Sequence, residues 1–178
     1  MTLARIRALI LVGLLFVAAT VVSLIAVNKD SQTLANASED CPAGSIPVSL
    51  AVPEYKDIKI RLINGGDNRG QANSVGNDLK FRKLNVVEIK NSPGGKQYDE
   101  VAIIRFGPKT VGAAWVMRAF FLNEAQTEYN AKRTDDVLEV VLGKQFAQLA
   151  TQTEVNQSIG ALRAPTLPDG TCDATPKK

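Results

Sequence analysis

The chain has no histidine and only two cysteines, Cys41 and Cys172, in 178 residues. The missing histidine removes the commonest general base and the commonest metal ligand. Two cysteines alone cannot form a structural zinc site. No metal and no cofactor are therefore expected. Aromatic residues make up 6% of the chain, with a single tryptophan, and the formal net charge is +3. Proteins that bind nucleic acid carry a clustered basic face or stripe. No such cluster stands out here, and no nucleic-acid partner is expected.

Charge is absent from a second place. Residues 9–27 form 19 positions without a charged side chain. At about 1.5 Å per residue, that run suffices to cross roughly 30 Å of hydrocarbon. Arg5 and Arg7 precede it, while Lys29 and Asp30 follow and nearly cancel. The positive-inside tendency leaves residues 1–8 in the cytoplasm and everything after residue 27 outside. A cleaved signal peptide would have a shorter apolar core and a nearby small-residue site. Residues 9–27 are accordingly expected to be a retained transmembrane helix, which makes the membrane a partner. Residues 28–40 are polar and aperiodic, and read as a tether.

Cys41 opens the exterior part and Cys172 nearly closes it, before a tail at 173–178. Outside the cytoplasm two such cysteines should pair. The bridge would enclose 130 residues.

Between them the pattern is regular. Ile58, Ile60 and Leu62 alternate with Lys59 and Arg61, as in a half-buried strand. Gly65, Gly66 and Gly70 then punctuate, and Asp67 or Asn68 could cap a helix begun there. Ala72, Val75 and Leu79 recur at helical steps. Strands are expected at 86–90, 101–106 and 137–142, and a second helix at 110–121. Residues 123–136 read as polar and at best partly helical, and 144–162 as weakly helical. The segment from 44 to 55, with Pro47 and Pro53, suits a sheet edge.

The order β-α-β-β-α-β is that of a ferredoxin-like fold. The expectation is an α+β domain with a four-stranded antiparallel sheet and both helices on one face. Ile58, Ile60, Leu62, Ala102, Ile104 and Phe106 should face the helices. Lys59, Arg61, Ile63, Val101, Ile103, Arg105, Val137, Glu139 and Val141 should face away. That second face is half apolar, so the flanking arms are expected to cover part of it.

Several motifs now stand together: Leu62-Ile63-Asn64-Gly65-Gly66, Gly70, Ala72, Val75, Leu79, Val86-Val87, Ile104-Arg105-Phe106-Gly107, Ala113-Ala114, Val140-Val141-Leu142-Gly143 and Phe146. This set resembles the LytR C-terminal domain family over residues 57–146, the core of an exterior domain at 41–172. The resemblance implies a bacterial cell-envelope protein, of the short single-pass type associated with envelope integrity. Many members follow a LytR-CpsA-Psr catalytic domain, which attaches glycopolymers to peptidoglycan. The expected partners are peptidoglycan, an envelope glycopolymer or lipid, or such an enzyme. The family supplies no catalytic residue to carry over.

The residues themselves offer few sites. The glycine turn could hold an anion on its backbone N–H groups. However, Gln71 and Ala72 stand where a phosphate loop needs Lys and Ser or Thr, and the element order argues against the parallel sheet of a dinucleotide fold. Lys59, Arg61 and Arg105 share one sheet face and could contact an anionic headgroup or glycan. The competing reading pairs them with Glu88 and Glu139 across the strands. Asp99-Glu100 and Asp135-Asp136 read as solvated strand-entry charges, and Trp115 as core rather than a sugar platform. The expectation is a non-catalytic, membrane-anchored envelope protein. A purely structural partner is the alternative, with an envelope hydrolase or transferase behind it.

Overall fold

A computed structural model describes residues 41–175. The expected anchor at 9–27 and tether at 28–40 lie outside the described residues. Among the described residues no helix is long and apolar enough to cross a membrane.

The elements run β1 (Ile46–Val48), β2 (Lys59–Asn64), α1 (Gln71–Phe81), β3 (Asn85–Asn91), β4 (Ala102–Phe106), α2 (Val111–Ala119), β5 (Gln126–Tyr129), β6 (Val137–Leu142), α3 (Gln152–Leu162) and β7 (Thr171–Asp173). The domain is α+β, as expected, but its sheet is not the expected one. It has five strands in the order β3-β2-β6-β4-β5. β2 is parallel to β3 and to β6, and β4 is parallel to β5; only the β4–β6 pair is antiparallel. The four-stranded antiparallel ferredoxin-like layout is thus replaced by two βαβ units running in opposite directions, with β6 between them. In each unit the helix returns the chain to the end where the first strand began, so the next strand lies beside it in parallel.

The period-two reading of faces holds in the strands. Ile60, Leu62, Ile104, Leu138, Val140 and Leu142 are fully buried on the helix side, against Leu79 of α1, Met117 of α2 and Val155 of α3. Each such side chain contributes about 1.5–3 kcal/mol by leaving water. Val101 departs from its expectation and packs against this main core. It precedes the first residue of β4, so strand alternation does not reach it.

α3 begins at a capping box. The Thr151 side chain accepts from the Glu154 N–H, and the Glu154 carboxylate accepts from the Thr151 N–H and hydroxyl. Those bonds hold the Glu154 carboxyl below its usual range. α1 has no such side-chain cap. Neither Asp67 nor Asn68 serves, because Gly70 takes the N-cap position in a left-handed conformation.

The arms do not cover the sheet face that turns away from the helices. Val48, Leu50 and Tyr55 pack against the helix-side core. The N-terminal arm crosses α2 at Gly112, where a methyl group would overlap the Ala51 carbonyl. β1 then pairs in parallel with β7, and Cys41 and Cys172 form a disulfide with 5.6 Å between their Cα atoms. The expected Cys41–Cys172 pairing is present, and beside the β1–β7 pair it clasps the two arms together.

Candidate functional site

The register of the sheet places one charged residue from each strand in a single row. Arg61 of β2 stands opposite Glu88 of β3 and Glu139 of β6. Arg105 of β4 stands opposite Glu139 and Glu128 of β5. Across the sheet the row reads Glu88, Arg61, Glu139, Arg105, Glu128, with signs alternating. The Arg61 Nε donates to Glu88, and its Nη1 lies 3.9 Å from Glu139 and 4.0 Å from Asp135. The Arg105 Nε donates to Glu128 at 2.7 Å and its Nη1 to Glu139 at 3.1 Å. Lys59 lies on the same face, on the far side of Arg61 from Ile63, and binds Asp136 at 2.7 Å. The three basic residues therefore share a face, as expected, and each is engaged by carboxylates. The pairing with Glu88 and Glu139 is present for Arg61 and Arg105, while Lys59 pairs with Asp136 instead.

The pairs shift the acids in one direction. The hydrogen bond from Arg61 holds the Glu88 carboxyl below its usual range, and Lys59 does the same for Asp136. A carboxylate held ionised in this way is a poor proton donor near neutrality.

The next row of the same face is apolar. Ile63, Val141 and Ile103 stand side by side on β2, β6 and β4 and form a small separate cluster with Tyr98. These three aliphatic side chains are buried. The Tyr98 main-chain N–H donates to the Gly65 carbonyl at 2.9 Å. The Arg105 guanidinium lies 5.4 Å from the Tyr98 ring centre and donates to its hydroxyl at 3.4 Å. That hydrogen bond holds the phenol below its usual range. The open face is closed by this tyrosine and by paired charge. The flanking arms, expected to cover part of this face, lie instead on the helix side, with Val48, Leu50 and Tyr55 against the main core.

The glycine turn is tied into the scaffold. The Gly65 N–H donates to the Leu142 carbonyl at 2.9 Å, the Gln71 side chain donates to the Phe146 carbonyl at 3.2 Å, and Gln97 donates to Asp67. β2 and β3 are parallel at this end, so element order does not argue against a phosphate loop; the residues at Gln71 and Ala72 still do. Asp99 and Asp135 pair with Lys144 and Arg133, in keeping with solvated strand-entry charges. Trp115 is buried in the helix-side core, as expected. Sequence reasoning misses Glu128 and Tyr98. Glu128 sits on a strand within the stretch that reads as polar, although Thr127 and Tyr129 flank it with good strand formers. Tyr98 sits in a loop, where no period marks it.

Residues 57–146 match the LytR_C family, described as LytR cell envelope-related transcriptional attenuator. The chain is also similar to the cell envelope integrity protein Cei of Mycobacterium tuberculosis, with 26% identity over 136 residues. That match covers 68% of this chain and 62% of the relative's length. Among solved structures it resembles the soluble domain of a conserved hypothetical secreted protein from Mycobacterium marinum, at 28% identity with a TM-score of 0.51. The likeness covers 69% of this chain and 83% of that one. With half of its length matched and the motifs of that match on one continuous sheet and its helices, the chain belongs to the LytR_C family.

Proposed function

We propose that this protein supports the integrity of a bacterial cell envelope as a non-catalytic domain held outside the cytoplasmic membrane, with residues 9–27 as its single-pass anchor. The observation that carries the reading is the Cys41–Cys172 bridge, which encloses the whole family core. Structural disulfides persist in oxidising compartments and are rare in the cytosol. The names of the two similar proteins, one an envelope-integrity protein and one secreted, agree with that location.

The domain acts by binding a cell-wall or lipid component or by docking on an envelope-assembly enzyme of the LytR-CpsA-Psr type. The charge row favours docking at the open face. Each guanidinium already faces carboxylates, so the row is close to self-neutral and a lone anion gains little there. A flat face of alternating charge instead suits a complementary protein surface, where such charges set register and choice of partner. A purely structural role is the second reading, and the same self-neutral row is the observation in its favour.

Deleting the gene in the bacterium that encodes it and measuring detergent sensitivity tests the role. The full chain should restore resistance, and a chain lacking residues 1–40 should not. Unchanged resistance in the deletion strain would overturn the proposal.

A further inference from the structure

β3 lies at one edge of the sheet, with β2 as its one strand neighbour among the described residues. The outer side of such a strand offers unpaired N–H and C=O groups to another strand. Five of the seven residues of β3 are exposed, Val87 among them at 48%. A bulge interrupts the first half. Ile60 pairs with Val86 and Arg61 with Glu88, so Val87 is the extra residue. From Glu88 to Asn91 the ladder is regular.

The charges on this regular half select what can pair with it. Glu88 and Lys90 stand beside Arg61 and Ile63 on the open face, 3.7 Å apart. Two copies joined at this edge by a twofold axis run antiparallel, with the axis normal to the sheet. Open face then continues into open face, and each residue meets only residues that face the same way. An axis at Glu88 sets Glu88 against itself, and an axis at Lys90 sets Lys90 against itself. Like charges directly opposite destabilise a pair of strands, and opposite charges stabilise it. Of the axis positions from Val87 to Asn91, only Ile89 pairs both charges. Glu88 then stands opposite Lys90 of the second copy, and Lys90 opposite its Glu88.

The charge row agrees with that register. It alternates in sign across the sheet and stops at the β3 edge on the negative Glu88. Lys90 of a second copy supplies the next sign. Head-to-tail stacking, with β3 of one copy on β5 of the next and the rows aligned, would oppose Glu88 to Glu128 instead. Two like charges there disfavour an open fibre and leave the closed pair.

We propose that this domain forms a twofold dimer by antiparallel pairing of its β3 strands about Ile89, with Glu88 and Lys90 of each copy matched across the axis. The two five-stranded sheets become one continuous sheet, with the helices of both copies on one side and both open faces on the other. This names a surface and its occupant, and it goes beyond the envelope role above without resting on it.

The test follows the mass of the full chain, bridge intact, in detergent micelles by sedimentation over a range of protein concentrations. Lys90→Glu leaves two acidic residues at the junction, and Glu88→Lys leaves two basic ones. Each alone should weaken the dimer at least about tenfold, equal to about 1.4 kcal/mol. An equimolar mixture of the two variants, differently tagged, should form a mixed dimer about as tight as the wild type, because every pair across the axis is again opposite in sign. Lys59→Gln, on the same face but away from this edge, should leave the dimer unchanged. If Glu88→Lys, which sets a lysine beside Arg61, fails to fold, Lys90→Glu should still weaken the dimer more than Lys90→Gln does. A wild-type chain that stays monomeric overturns the proposal and leaves the edge to a strand of another protein. A dimer indifferent to both charge changes also overturns it, since that dimer is held by another part of the chain. Either failure leaves the envelope role standing, because that role is read from detergent sensitivity of the bacterium.

Discussion

Arg105 is the residue on which the charge row turns. Its guanidinium reaches Glu128, Glu139 and the Tyr98 hydroxyl, and its side chain is 26% exposed, against 17% for Glu139. Replacing it by Gln removes the charge and keeps most of the aliphatic stem. Exposed ion pairs contribute about 0.2–1 kcal/mol. Breaking a fully buried pair costs about 3–5 kcal/mol because one charge is stranded. A group about three-quarters buried belongs between these, near 2 kcal/mol. Glu139 is then left with Arg61 at 3.9 Å as its remaining cation. For a domain of this size, the loss corresponds to a melting-point drop of roughly 8 °C. Lys59→Gln is the control, because Lys59 and Asp136 are 43% and 56% exposed and a solvated pair counts for little. Urea melts of Arg105→Gln, Glu139→Gln and the variant carrying both, combined as a double-mutant cycle, should give an Arg105–Glu139 coupling of about 1 kcal/mol or more. If Arg105→Gln is no worse than Lys59→Gln, or the coupling is within error of zero, the row is ornamental and the reasoning fails.

Three further outcomes rest on the same structure. Reducing the Cys41–Cys172 bridge, which spans 131 positions, should lower stability by about 5 kcal/mol on the chain-entropy account, read from urea midpoints with and without reductant. Gly112→Ala should cost about 1–3 kcal/mol, because the new methyl meets the Ala51 carbonyl of the arm crossing α2; a neutral result in thermal melts would show that the arm gives way. The folded-state pKa values of Glu88 and Asp136 are lowered by Arg61 and Lys59, so the stability they bring is present above the unfolded carboxylate range and lost as pH falls through their folded values. Urea midpoints should therefore hold from neutrality to about pH 5 and fall below about pH 4, and Glu88→Gln should flatten that fall.

The faces of β2, β4 and β6 are legible in the sequence because each strand is covered on one side by helices and alternates accordingly. Ile60, Leu62 and Ile104 could hardly point elsewhere. The pairing of the strands is not legible in the same way. Whether β3 lies beside β2 depends on contacts between residues more than twenty positions apart, and both layouts satisfy the same alternation. β5 escapes notice because it is an edge strand whose Gln126, Thr127 and Glu128 are solvent-exposed, so it shows no apolar period. The arms lie on the side opposite to expectation for a related reason. Ile63, Ile103 and Val141 need cover, but Tyr98, a single loop residue, provides it. The capping box at Thr151 and Glu154 is visible as a spacing, whereas the cap at Gly70 shows only in the backbone angle. Alternation does place Lys59, Arg61 and Arg105 on one face. Their role turns on which acids stand opposite, and one of these, Glu128, lies on the strand that shows no period.

The central claim is that this domain works as an oxidised unit outside the cytoplasmic membrane. Alkylation of intact cells with a membrane-impermeant maleimide, before and after mild reduction, tests it most directly. The account predicts no modification of Cys41 or Cys172 at first, and modification of both once a reductant is added. Two thiols that react only after lysis, with no reductant needed, would place the domain in the cytoplasm with its bridge unformed and contradict the account.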